Sequence, residues 1–129
     1  MASDNPQFLS GYRAGGDLSA KQYFIMKAHT TANQVTTCTG AGDVPVGVLY
    51  NKPAAAGDGA DIAAFVPGTT IKVKVGTAGA TAGWVGTAAS GKLVTKTANN
   101  DIVFGRIDQT YAAADIAEVL CQGVSYLGA

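Results

Sequence analysis

Ile71-Lys72-Val73-Lys74-Val75 carries the clearest strand pattern in the chain. Three β-branched apolar residues share one face of this segment and two lysines share the other, which is the alternation of a half-buried antiparallel strand. Lysines on the solvent face are also typical of strands that lie near a sheet edge. The segment therefore predicts a β-sheet with one face packed against a core.

Short apolar segments lie on both sides of this strand and are separated by turn residues. Gly, Ala and Thr account for 53 of the 129 residues, and the 17 glycines leave few windows of helical length without a breaker. The candidate strands are Gln22 to Ala28, Val35 to Cys38, Val46 to Tyr50, Ile62 to Val66, Ile71 to Val75, Gly83 to Thr87, Lys92 to Thr97, Ile102 to Asp108 and Asp115 to Cys121. Eight or nine short strands predict a single all-β domain, either a small barrel or a sandwich-like fold.

A short motif that occurs twice tests the all-β prediction. Gly47-Val48-Leu49 precedes Ala60-Asp61-Ile62-Ala63, and Gly105-Arg106-Ile107 precedes Ala114-Asp115-Ile116-Ala117. Residues 111–120 alone also fit an amphipathic helix. In the first copy, glycines and a proline interrupt the corresponding stretch, so a structure shared by both copies is strand, loop, strand. Chance similarity between Ala-rich segments is the alternative.

The first 17 residues predict an extended N-terminal arm (residues 1–17) ahead of a β domain (residues 18–129). Pro6 and the Gly15-Gly16 pair interrupt regular structure in this segment. It nevertheless contains aromatic and arginine side chains, which are types that anchor interfaces. We expect the arm to be mobile in the free protein and to order on a partner; a disordered tail that binds nothing is the alternative. The residues expected to make the contacts are Phe8, Leu9, Tyr12 and Arg13.

The apolar content of the chain overstates the size of its core. Apolar residues make up 47% of the chain, but 23 of them are alanine and only 28 residues are Val, Ile, Leu or Phe. This composition predicts a thin core whose folding is supported by self-association. Trp84, the single tryptophan, is predicted to lie in the core or at a subunit interface.

Charge is balanced along the chain. Nine basic and nine acidic residues give a formal net charge of zero and form no runs, so we expect neither a nucleic-acid partner nor an anionic membrane. No apolar stretch reaches the roughly 18 residues of a membrane-spanning helix. The start of the chain is polar and Gly-rich, unlike a secretory signal, which predicts synthesis in the cytosol.

The sequence offers little for catalysis or for binding a cofactor or a metal. His29 is the single histidine, and GxSxG, HExxH and Walker patterns are absent. The aspartates lie in turn-type sequence without the spacing of a calcium loop. Cys38 and Cys121 have no CxxC spacing, which favours buried free thiols. We therefore expect no catalytic residue, no cofactor and no metal.

One short segment suggests an alternative function. Ile25-Met26-Lys27-Ala28 resembles the lysine-bearing hairpin of biotinyl and lipoyl carrier domains. In those domains the modified lysine lies at an exposed hairpin tip. Lys27 instead follows an apolar run, with no turn residue until Asn33.

From Asp17 onward, the order of the segments resembles the small capsid decoration, or cement, proteins of tailed bacteriophages. The segments that carry the resemblance are Tyr23-Phe24-Ile25-Met26, Gly47-Val48-Leu49, Ile71 to Val75, Gly83-Trp84, Gly91-Lys92-Leu93-Val94, Gly105-Arg106-Ile107 and Ile116 to Leu120. The resemblance covers about 110 residues and includes no catalytic motif.

This resemblance implies a non-enzymatic virion protein. Proteins of this kind assemble as homotrimers on the outside of the phage head, bind the major capsid protein and stabilise the shell. The expected location is therefore the exterior of the capsid, after synthesis in the host cytoplasm. Another virion or surface β module, such as a connector or a fibre module, is the alternative, and the carrier domain is a further one.

Overall fold

A computed structural model describes residues 4–40 and 42–128 of the chain. Within these residues the protein is all-β, with eleven strands and no helix. The strands are β1 (Phe8–Leu9), β2 (Arg13–Ala14), β3 (Ile25–Ala28), β4 (Gln34–Thr37), β5 (Gly47–Leu49), β6 (Ile62–Ala63), β7 (Thr70–Lys74), β8 (Gly83–Thr87), β9 (Leu93–Thr95), β10 (Ile102–Ile107) and β11 (Ile116–Tyr126). No helix that could span a membrane occurs in this part of the chain.

The all-β prediction is confirmed, but the predicted count of eight or nine strands is too low. Each of the nine predicted segments overlaps one strand from β3 to β11. The two further strands, β1 and β2, lie in the segment predicted to be an extended arm. Both contain only two residues, so they are too short to produce an alternating pattern in the sequence.

The strands form two sheets. A six-stranded sheet has the order β1-β6-β5-β3-β4-β2, and a five-stranded sheet has the order β7-β11-β10-β8-β9. The pairing of β2 with β4 is parallel, and the other strand pairs are antiparallel. The six-stranded sheet curls, because Arg13 of β2 also forms a bridge with Gly59, just ahead of β6. A parallel bridge between Val75 and Leu93 joins the two edges of the other sheet in the same way.

Two hydrophobic clusters explain why β3, β5 and β6 each contain adjacent apolar residues that are both buried. Successive side chains of a strand point to opposite faces, so such strands have both faces buried. In β3, Ile25 belongs to a cluster shared by the two sheets, where Phe65 stacks on Phe104 with ring centroids 4.2 Å apart. Met26 faces a second cluster, formed by the six-stranded sheet and its loops alone. A thin supply of large apolar residues is thus divided between two small cores.

The repeated motif has the strand–loop–strand structure predicted for it. β5 pairs with β6 in the first copy, and β10 pairs with β11 in the second. The registers differ between the copies, because Ile62 lies opposite Leu49 and is fully buried, whereas Ile116 begins β11 and is 38% exposed. The helix alternative for residues 111–120 is wrong.

Equivalent glycines in the two copies allow the strands to approach closely. A Cβ atom at Gly105 would lie 2.5 Å from the Leu120 carbonyl oxygen, and one at Gly47 would overlap the Ala63 carbonyl oxygen. We expect Gly105→Ala and Gly47→Ala each to lower the free energy of unfolding by about 1–3 kcal/mol in urea titrations, because a backbone neighbour must move. Gly16→Ala, where nothing lies within 4 Å, is the matched control and should change stability little. Equal stability of all three variants would contradict this account.

Candidate functional site

The predicted arm lies against the six-stranded sheet along most of its described length. β1 pairs with β6 and β2 pairs with β4, so the segment supplies both edge strands of the sheet. The extended arm expected from the sequence is therefore not confirmed. The physical reason is that β4 and β6 would otherwise present unpaired backbone groups, which residues 7–15 satisfy. Met1–Ser3 of the predicted arm lie outside the described residues.

Two of the four predicted contact residues are partly buried and two are exposed. Leu9 and Tyr12 are partly buried and pack against the second hydrophobic cluster. Phe8 is 54% exposed on the edge strand β1, and Arg13 is exposed with its Nη1 donating a hydrogen bond to the Gly57 carbonyl (2.9 Å). Of these four residues, Phe8 and Arg13 are therefore the more accessible to a partner.

Tyr50 joins the N-terminal segment to both sheets. Its hydroxyl donates a hydrogen bond to the Asp4 carboxylate (3.1 Å) and accepts one from the Lys72 backbone N–H (2.6 Å). Its ring meets those of Phe8 and Tyr23 edge-on, at centroid distances of 5.5 and 5.2 Å. Burial raises the pKa of the Tyr50 hydroxyl well above its ordinary value, so the hydroxyl stays protonated and remains a donor. Sequence reasoning missed this residue because nothing marks a buried tyrosine hydroxyl in a sequence.

The outer face of the five-stranded sheet exposes several large apolar side chains. Trp84, Arg106 and Leu120 lie side by side across β8, β10 and β11. Trp84 is 39% exposed and Leu120 36% exposed, and the Arg106 guanidinium lies 6.0 Å from the tryptophan ring centre. Trp84 is therefore not a core residue. The other predicted location, a subunit interface, would require a second subunit to cover this outer face.

This apolar face continues along β11. Ile116, Val124 and Tyr126 are also exposed, and Tyr126 lines a groove of about 200 Å³ together with Trp84. A second groove, of about 350 Å³, lies beside Leu120. In β11, Ala117, Val119 and Cys121 face the core while Ile116 and Leu120 face outward. A strand with apolar residues on both faces is typical of a sheet covered on both sides, and this signal was available in the sequence.

His29 and Lys27, two residues considered for chemistry, each have polar partners of their own in the structure. His29 is half-buried, and its Nδ1 accepts a hydrogen bond from the Thr31 N–H (3.1 Å). Lys27 lies within β3 rather than at a turn, where its ammonium pairs with the Asp43 carboxylate (3.2 Å) and donates to Thr39 Oγ1 (2.9 Å). In the part of the chain that the structure describes, no group of three His, Cys, Asp or Glu residues is placed to hold a metal.

Both cysteines are free and buried, as predicted. Burial, together with the negative charge of Asp43, raises the pKa of the Cys38 thiol to about 11, and burial raises that of Cys121. Both side chains are therefore thiols rather than thiolates at neutral pH, and thiols are poor nucleophiles.

Comparison of the chain with protein-family models and with curated proteins gives no match. The structure exposes an apolar face on the five-stranded sheet and an aromatic ring, Phe8, on an edge strand of the six-stranded sheet.

Proposed function

We propose that the protein is a non-enzymatic capsid decoration protein of a tailed bacteriophage. It associates as a homotrimer, binds the major capsid protein on the outside of the head and stabilises the shell there. The proposal combines the sequence resemblance to cement proteins with the two exposed surfaces described above. Binding surfaces, rather than a reaction centre, carry the function.

The observation that carries the proposal is the apolar outer face of the five-stranded sheet. Exposed apolar residues that adjoin one another on a small protein mark an interaction surface, and Trp84 is of the residue type that dominates such surfaces. The occupant of this face in our proposal is a second copy of the chain. Burial of this face between copies adds apolar area that the thin cores lack.

The contact with the shell is assigned to the edge strand β1. β1 ends the six-stranded sheet, and Phe8 extends from it into solvent. An exposed strand edge offers backbone hydrogen bonds to a strand of another protein, and an adjacent aromatic ring adds apolar contact. Three such edges on one trimer would bind a repetitive shell more tightly than one edge.

Co-sedimentation with undecorated heads tests this proposal. Heads assembled from the major capsid protein of the same virus should carry the wild-type protein to the pellet. Phe8→Ala should weaken that binding by about tenfold, since loss of one interface aromatic costs about 1–2 kcal/mol. Val44→Ala is the matched control, because Val44 is 61% exposed in the loop ahead of β5.

Two outcomes would contradict the proposal at different points. Failure of the wild-type protein to bind such heads would overturn the capsid function. Binding of Phe8→Ala as tight as that of the wild-type protein would overturn the assignment of the contact to β1. Circular dichroism of each variant confirms that the comparison is made between folded proteins.

A further inference from the structure

Folding gathers four lysines that are far apart in the sequence. Lys52 and Lys74 line a groove of about 410 Å³ together with Tyr23, Phe24 and Ile116. The ammonium groups of Lys21 and Lys92 lie 4.9 and 5.5 Å from the centre of the Phe24 ring. The chain as a whole is neutral, but two of its nine basic residues line this groove and two more lie against Phe24, which is one of its lining residues.

These four lysines, like Lys96, have no ion pair among the described residues. Lys27, Lys72 and Arg106 each lie within 4.0 Å of a carboxylate, whereas among the described residues none of the four groove lysines does. The Asp17 carboxylate is bound locally by the backbone and hydroxyl of Ser19, which holds its pKa below the usual range. No acidic residue lines the groove, and its two charged lining residues, Lys52 and Lys74, are both basic.

Tyr23, on the wall of the groove, has a strained backbone. Its φ of 70° lies in the left-handed region, which bulky residues rarely adopt. The conformation is held from both sides, by a hydrogen bond from the Tyr23 N–H to the Leu49 carbonyl and one from the Lys74 N–H to the Tyr23 carbonyl (2.6 and 2.9 Å). Strain of this kind persists where the surroundings enforce it, and it is concentrated at binding sites.

We propose that this groove, which we call the lysine groove, binds an acidic peptide segment of a partner protein. Glutamate or aspartate side chains would pair with the four ammonium groups, and an apolar residue between them would contact Tyr23 and Ile116. A nucleic acid fits less well, because the groove contains no arginine and the neutral chain has no long basic surface to follow a phosphate backbone. The inference goes beyond the proposed function, since the groove lining does not include Phe8 and shares only Ile116 with the apolar face.

A pair of matched peptides tests the inference. A capped Glu-Glu-Leu-Glu-Glu peptide is titrated into the ¹⁵N-labelled full-length protein, and a capped Gln-Gln-Leu-Gln-Gln peptide serves as the control. We expect saturable shifts of the amide signals of residues 19–24, 52, 74 and 116 with the acidic peptide and no such shifts with the glutamine peptide. Binding should weaken several-fold as NaCl is raised to about 0.5 M, because salt screens partly exposed charge pairs.

Lysine variants then identify the groups involved. The double variant Lys52→Gln/Lys74→Gln should weaken binding about fivefold, as expected for the loss of two partly exposed charge pairs. Lys96→Gln is the matched control, because among the described residues Lys96 also has no ion pair but lies next to Trp84. If the double variant folds poorly, Lys52→Gln alone is used, since Lys52 is exposed in a loop.

The possible outcomes separate cleanly. Shifts confined to the lysine groove and lost in the double variant would support the inference. The absence of shifts, equal shifts with the glutamine peptide, or shifts spread over all lysines would overturn it. Tighter binding of a dT oligonucleotide in the same groove would also overturn it, in favour of a nucleic-acid site. Failure to bind phage heads leaves this result unaffected, because the peptide experiment uses no heads.

Discussion

Deletion of residues 2–16 is expected to destabilise the domain strongly, lowering the free energy of unfolding by roughly 3–6 kcal/mol, or to prevent folding. The deletion removes β1 and β2 and with them Leu9, Tyr12 and the fully buried Ala14. Met26, Val35 and Leu49 of the second cluster would become exposed to water. Urea titration followed by tryptophan fluorescence and circular dichroism measures the loss.

A shorter deletion is the control for this experiment. Removal of residues 2–6 leaves β1 and β2 intact and eliminates the contacts of Asp4 with Tyr50 and Lys72 and those of Asn5 with Thr70. These contacts are partly exposed, so their loss should cost about 1–2 kcal/mol. A protein lacking residues 2–16 that is as stable as the full chain would show that the segment is dispensable, as a free arm would be.

This expectation reverses the one that the sequence alone supports. An arm that is mobile in the free protein would be removable without loss of the fold, and the sequence of residues 1–17 has the glycines and the proline of such an arm. The structure shows main-chain pairing instead, including hydrogen bonds from the Gly15 N–H to the Val35 carbonyl and from the Ala60 N–H to the Tyr12 carbonyl. This backbone pairing depends on the free edges of β4 and β6, which come from distant parts of the chain. The local sequence of residues 1–17 therefore does not predict it.

The strands that the sequence did reveal are those with their own hydrophobic signal. β7 alternates, and β10 and β11 are long enough to display apolar positions on a recognisable face. In β3, β5 and β6 the apolar residues follow one another without alternation, so the sequence indicated strands but not the second cluster that their other face covers. The all-β fold class was therefore predictable from the sequence, but the presence of two separate hydrophobic clusters was not.

The candidate sites divide in the same way. Phe8 and Arg13 were recognisable because their residue types are unusual in a polar, Gly-rich segment. The lysine groove was not, because Lys21, Lys52, Lys74 and Lys92 come from four separate segments, and a neutral chain without charge runs gives no hint of their convergence. The net charge of a sequence does not show how the charged side chains are distributed over the folded surface.

Leu120→Asp is expected to convert the trimer that we propose into a monomer without unfolding it. Leu120 lies at the centre of the apolar face, opposite Arg106 on β10, and a buried carboxylate at a subunit interface would have to be desolvated. The change should cost about 2 kcal/mol or more at each contact, which raises the dissociation constant at least about thirtyfold per interface. Sedimentation velocity at micromolar concentration measures the mass of the assembly.

The same substitution should leave the fold of each subunit intact, and this makes the experiment decisive. Leu120 is already 36% exposed, and an aspartate at this position would face the Arg106 guanidinium from the neighbouring strand. Thr30→Asp, at an exposed turn of the other sheet, is the control and should remain trimeric. If Leu120→Asp sediments like the wild-type protein, the apolar face does not join the copies, and its occupant must be sought on the shell instead.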